Sequence, residues 1–138
     1  MENPLKKPVS AFVFIFGVVF LLVGLLGFVN NPVLGLFEVN TIHNFVHLLS
    51  GAVLVVGSMY GTKNAKLSAL VIGVIYGLVT VLGFIALGFG LDGTTDLLGL
   101  VHLNGNDNYL HLVLTALAFV LAFLPEGFMS TGAVSTNS

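Results

Sequence analysis

Asn40, His43, Asn44 and His47 fall within the stretch "NTIHNFVH" at the mouth of a long apolar run, and Asp107, Asn108 and His111 open another. Two histidines four residues apart share one helix face. Such a pair can hold a metal ion from a single helix. His111, from a second helix, would complete a set of three: His43, His47 and His111. Three nitrogens plus water suit zinc, and copper or haem iron also accept imidazole. The same residues support a structural reading, in which amides and imidazoles bond across helices and pin them together. Asn44 lies three residues before His47, and Asn108 three before His111, so each asparagine is expected to reach its histidine. Asp107 is expected to reach His111 as well, while capping its helix. An oriented imidazole with one free nitrogen serves a metal or a hydrogen bond equally well, so spacing leaves both readings open. "HNFVH" carries Asn where the H-E-x-x-H of a metalloprotease carries its base, so that hydrolytic chemistry has no support.

The surroundings of these residues are apolar. The chain is 57% hydrophobic and 7% charged, against roughly 25% charged residues in soluble domains. Lipid is therefore the expected partner. There is no arginine and the net charge is -2, which argues against nucleic acid, whose phosphates need a basic face. The absence of cysteine excludes disulfides and thiolate metal sites. The length of 138 residues suits one domain, expected over 1–128, with the small polar tail 129–138 expected to be disordered.

Four spans are expected to position the site. The first, Val9 to Val29, has no charge and is long enough to cross a hydrocarbon core of roughly 30 Å. It is too long for a signal-peptide core and ends in "NNP", so it is read as a retained helix. The second runs from about Thr41 to Tyr60, with Asn40 as N-cap and Gly61 at its end. The third covers about Leu67 to Phe89 and the fourth about Asn108 to Leu124, stopped by Pro125. Between them "TTDLLGLVHL" is expected to form a short interfacial helix capped by Thr95 or Asp96. Backbone in lipid must satisfy its own hydrogen bonds, so the fold class is an all-α four-transmembrane-helix bundle. "GVIYG" and "GSMYG" place glycines one turn apart, read as contacts within the bundle rather than as a dimer face.

Lys6, Lys7, Lys63 and Lys66 are all the lysines. They precede the first span or lie between the second and third, which predicts both termini in the cytoplasm. All four histidines then fall on the outer side. No lysine, aspartate or glutamate lies deep in a span, so an ion-coupled pump is not expected. "NFVHLLSG" and "NYLHLVLT" echo each other, as expected of a parallel repeat of two helical halves.

"FEVNTIHNFVHLLSG" together with "LNGNDNYLHLVLTALAFVLAF" resembles the domain-of-unknown-function 4383 family. The matching positions are Asn40, His43, Asn44, His47 and Gly51, then Asn104, Gly105, Asp107, Asn108 and His111. The resemblance implies a small bacterial plasma-membrane protein with four helices, and assigns no activity. His102 stands where that family carries other residues, so it is left out of the ligand set. The leading expectation is a structural or interaction protein whose cluster of Asn40, His43, Asn44, His47, Asp107, Asn108 and His111 joins the outer ends of the second and fourth helices. Its partner would be a membrane protein or a second copy of the chain. The alternative is binding of a metal ion or haem by His43, His47 and His111. A third reading, an enzyme using one imidazole as acid or base on a lipid headgroup, has no catalytic residue that the sequence singles out.

Overall fold

A computed structural model describes residues 1–125; the tail 129–138 lies outside the described residues. Helix α1 spans Pro8–Val29, α2 Thr41–Ser58, α3 Thr62–Leu87 and α4 Gly105–Phe123. Among the described residues, these four helices are long and apolar enough to cross a membrane. Pro8 opens α1, where its missing N–H is no loss. Asn40 caps α2 through its side-chain oxygen, 2.9 Å from the His43 N–H. Helix α3 starts earlier than the hydropathy pattern predicts. "TKNAK" opens the helix rather than forming a loop, because the chain reverses within Met59, Tyr60 and Gly61, the last at a φ of 93°.

The segment expected to be an interfacial helix is instead a β-hairpin. Strand β1, Thr94–Leu97, pairs antiparallel with β2, Val101–Asn104. Its turn places Leu98 and Gly99 at φ of 53° and 71°, closed by the Leu100 N–H to the Leu97 carbonyl at 3.0 Å. Two consecutive positive φ values belong to the primed hairpin turns. The leucine-rich run misled because leucine favours helix by propensity and rarely occupies the left-handed region. The cap of α4 also moves: Asn104 holds the N-cap, and Asp107 is the third residue of a reciprocal capping box.

Helix α1 packs chiefly on α2, and α3 chiefly on α4. A Cβ on Gly17 would sit 2.9 Å from the Gly51 carbonyl oxygen, so the first pair touches backbone to backbone. Gly57 abuts Ser68, and Gly73 abuts Ala118 and Phe119. These glycines serve contacts within the bundle, as read from the sequence. The core holds Val13, Phe20, Leu54, Ile72 and Tyr76. Outward, Leu49 is 67% and Ile85 76% exposed. An apolar coat of this extent is what hydrocarbon requires and water penalises, and the protein is a multi-pass membrane protein.

Both lysine pairs lie at one end, since the Glu2 N–H bonds the Met59 carbonyl (2.8 Å) and sets the N-terminal segment beside the α2–α3 turn. The opposite end carries the 30–40 loop and the β-hairpin. These two connections are copies of each other. Residues 33–48 and 97–112 align at a constant shift of 64 positions, Asn40 to Asn104, with Leu34, Gly35, Leu36, Asn40, Asn44, His47 and Leu48 repeated. Leu34 and Gly35 take φ of 52° and 70°, as Leu98 and Gly99 do. The halves also grip each other reciprocally. The Asn40 amide donates to the Leu100 carbonyl and the Asn104 amide to the Leu36 carbonyl, each at 2.7 Å.

Candidate functional site

The repeat brings His47 and His111 together from equivalent positions on α2 and α4, and one helical turn before His47 it adds His43. The three are 2–3% exposed. One nitrogen from each lies within 4.8 Å of the other two. Ring centroids stand 4.9 Å apart for His43–His47, 5.7 Å for His43–His111 and 6.1 Å for His47–His111. Phe20 and Tyr76 wall the cluster, with Tyr76 edge-on to His111 at 5.2 Å and Phe20 at 5.4 Å from His47. Tyr76 is fixed in turn by Ser50, whose hydroxyl is 3.3 Å from its own. Thr80 donates to the Tyr76 carbonyl at 2.7 Å.

Hydrogen bonding settles one tautomer. Nδ1 of His43 is 2.7 Å from the carbonyl oxygen of His102, which can only accept, so Nδ1 carries the proton. In a neutral ring this leaves the Nε2 lone pair of His43 aimed into the cluster. Nε2 of His47 is 3.0 Å away and must donate to it. The rest goes unsatisfied: Nδ1 of His47 and both ring nitrogens of His111 have no hydrogen-bond partner. Each buried unpaired group costs about 1–3 kcal/mol.

The asparagines do not relieve this. The expected Asn44–His47, Asn108–His111 and Asp107–His111 bonds do not form. Asn44 instead packs its amide oxygen on Gly27 of α1, and Asn108 packs its own on Gly83 of α3. Any side chain at either glycine would occupy the place of that oxygen, so only a Cα–H faces it. The Asn108 amide nitrogen and oxygen have no partner, nor has the Thr115 hydroxyl one helical face below. Asp107 spends its carboxylate on the Asn104 N–H at 2.8 Å. Asn40 works at the loops, as cap and cross-link, rather than among the imidazoles.

His102 lies outside the imidazole cluster by its side chain, as expected, but its main chain orients His43. Its ring bonds Asp96 at 2.7 Å and Glu38 at 3.4 Å. The Asp96 carboxylate foremost, with Glu38, holds the imidazole above its ordinary range, against a smaller opposing effect of burial. Sequence reasoning missed three contributors: the Leu36 and Leu100 carbonyls, the Asn104 cross-link and the Tyr76 wall. The first two had a signal, "LGL" followed by Asn at the same distance in both halves. The third had none.

Chemically, the arrangement brings one nitrogen from each of three imidazoles to one point, with one ring clamped through its far nitrogen; a shift of the His47 proton to Nδ1 would turn all three toward it as lone pairs. That clamp is the usual companion of a metal-ligating histidine. The mutual contact of the rings leaves no slot for a macrocycle, which disfavours haem. No curated protein and no solved structure matches this chain. The model of one family matches residues 11–124, nearly the whole site-bearing chain, and the protein therefore belongs to that family, described as Domain of unknown function (DUF4383).

Proposed function

We propose that this membrane protein binds a single metal ion through His43, His47 and His111, at the end of the bundle that bears the hairpin. The observation that carries the reading is the convergence of three buried imidazoles within 4.8 Å, with three of their six ring nitrogens unpaired. A cluster serving only to pin helices together would pair its polar groups; an ion would replace the His43–His47 contact and give a partner to one of the two His111 nitrogens. We read the hairpin end as outside the cell and both termini as cytoplasmic, a reading supported by the lysines at the opposite end, and the membrane as a bacterial plasma membrane, supported by the family resemblance. The structural reading keeps one specific support, the His43–His102 bond that ties α2 to the hairpin. Pinning of the halves, however, is already served by Asn40 and Asn104, which leaves the imidazoles free for another task.

Protein purified from its native membrane without chelators should carry close to one equivalent of a first-row metal per chain. His47→Ala should lose it. Metal-free, colourless protein that takes up no ion on loading would overturn the proposal.

A further inference from the structure

We infer that the ion is monovalent copper, a reading that rests on the metal site proposed above and narrows it. The ligand set is the first ground. His43, His47 and His111 are neutral donors, and among the described residues no carboxylate joins them in the cluster. Asp107, the acidic side chain next along α4, is committed to the Asn104 N–H. Cysteine is absent from the chain, so no thiolate can offset the charge of an ion.

Burial is the second ground. The cost of bringing an ion into a low-dielectric medium rises with the square of its charge. A divalent ion here would keep both charges without a counter-charge, in a span whose outer face meets lipid. A monovalent ion would bear about a quarter of that penalty.

The third ground is coordination number. Zinc in a three-histidine site takes a fourth ligand, usually water, and magnesium or calcium wants six or more oxygens. The groups around these imidazoles are the rings of Phe20 and Tyr76, and the Tyr76 hydroxyl is turned to Ser50. Three nitrogens walled by aromatic rings offer a three-coordinate site. Monovalent copper, a closed-shell ion without a geometric demand for more, accepts it. Binding needs no redox step: the ion arrives reduced, and each nitrogen donates a lone pair. His47 then carries its proton on Nδ1, so that Nε2 is free to bind.

The test is an anaerobic titration of the full chain in lipid nanodiscs, with Cu⁺ supplied from a coloured Cu⁺ chelator and Zn²⁺ from a fluorescent zinc chelator. One Cu⁺ per chain is expected, bound about 100-fold or more tighter than Zn²⁺. Zn²⁺ binding as tightly as Cu⁺ overturns this inference and leaves the metal-site reading standing. Failure of both ions overturns both. His111→Ala should abolish Cu⁺ uptake; because that variant can also disturb packing, copper-edge X-ray absorption on the loaded wild type is the second measurement. A monovalent edge with three nitrogen neighbours is expected. A divalent edge, or four or more neighbours, sinks the assignment.

Discussion

The two halves of the bundle start from one plan and end with different chemistry at equivalent places. Position 43 on α2 and position 107 on α4 are each the third residue after a capping asparagine. Asp107 turns back and closes a capping box with Asn104. His43 cannot accept from the Asn40 N–H in the same way, and its ring reaches across to the His102 carbonyl instead. One half thus spends the position on its own helix end, and the other spends it on the cluster. The loops diverge for an equally local reason. The second half builds a ladder from Thr94–Asn104 to Leu97–Val101. The first has Asn31–Pro32 where the second has Thr95–Asp96. Only the Val33–Phe37 bridge survives there, and the Asn31 side chain replaces the missing strand by bonding both the N–H and the carbonyl of Val39. A repeat can therefore keep its backbone path while single substitutions reassign what each copy does.

Substitutions that respect or violate the equivalence should separate the shared plan from the divergent chemistry. The largest effect belongs to the paired glycines. Gly27→Leu and Gly83→Leu each drive a side chain into the space of an asparagine amide, and each should cost more than about 3 kcal/mol. Thermal melting in detergent should show comparable losses in both; tolerance in one half alone would break the symmetry. Next comes an exchange of roles. His43→Asp makes the first half resemble the second, keeping the helix cap while deleting a ligand. Metal affinity should fall about 100-fold or more, while loss of the His43–His102 bond lowers stability by about 1–3 kcal/mol. If affinity survives, His43 is no ligand.

Smaller still are the cross-links. Asn40→Asp and Asn104→Asp preserve the capping oxygen but lose the amide that donates to the opposite loop. Each should cost about 1 kcal/mol, and unequal costs would mean that the two grips are not equivalent. The smallest effect is on pH. The folded-state pKa of His102 lies above its unfolded value, chiefly through Asp96 and then Glu38. Its tie is therefore complete below the unfolded value and is lost as pH rises through the folded one. These groups are 28–64% exposed, so screening limits the effect to about 0.5 kcal/mol. Melting should drop slightly from mildly acidic to mildly alkaline pH in the wild type and not in His102→Gln.

Much of this architecture was legible in the residues, because lipid imposes simple rules. Uncharged runs of sufficient length became helices, Asn40 became a cap, and the lysines gathered at one end. The convergence of His43, His47 and His111 was legible too, since all three sit one or two turns from the same end of their helices. What the sequence hid depends on neighbours distant along the chain. Leu98 adopts a left-handed conformation that its own propensity opposes, within a turn held by strand pairing and by Asn40, which bonds the Leu100 carbonyl sixty residues along the chain. The asparagine–histidine bonds expected from helical spacing fail because Gly27 and Gly83 offer each amide a closer seat. Spacing says which groups can meet; packing on the other helix decides which do.

The reciprocal grip also constrains how the protein is made. When α1 and α2 leave the ribosome, the Leu100 carbonyl that Asn40 needs does not yet exist, and neither does the Asn104 amide that will cover Leu36. At about 5–20 residues per second, the first hairpin must wait several seconds in the insertion machinery with those groups, and two imidazoles, exposed to whatever surrounds them. An insertase or headgroup layer that shelters this half-finished surface becomes a requirement of biogenesis, set by the order in which the two copies are translated.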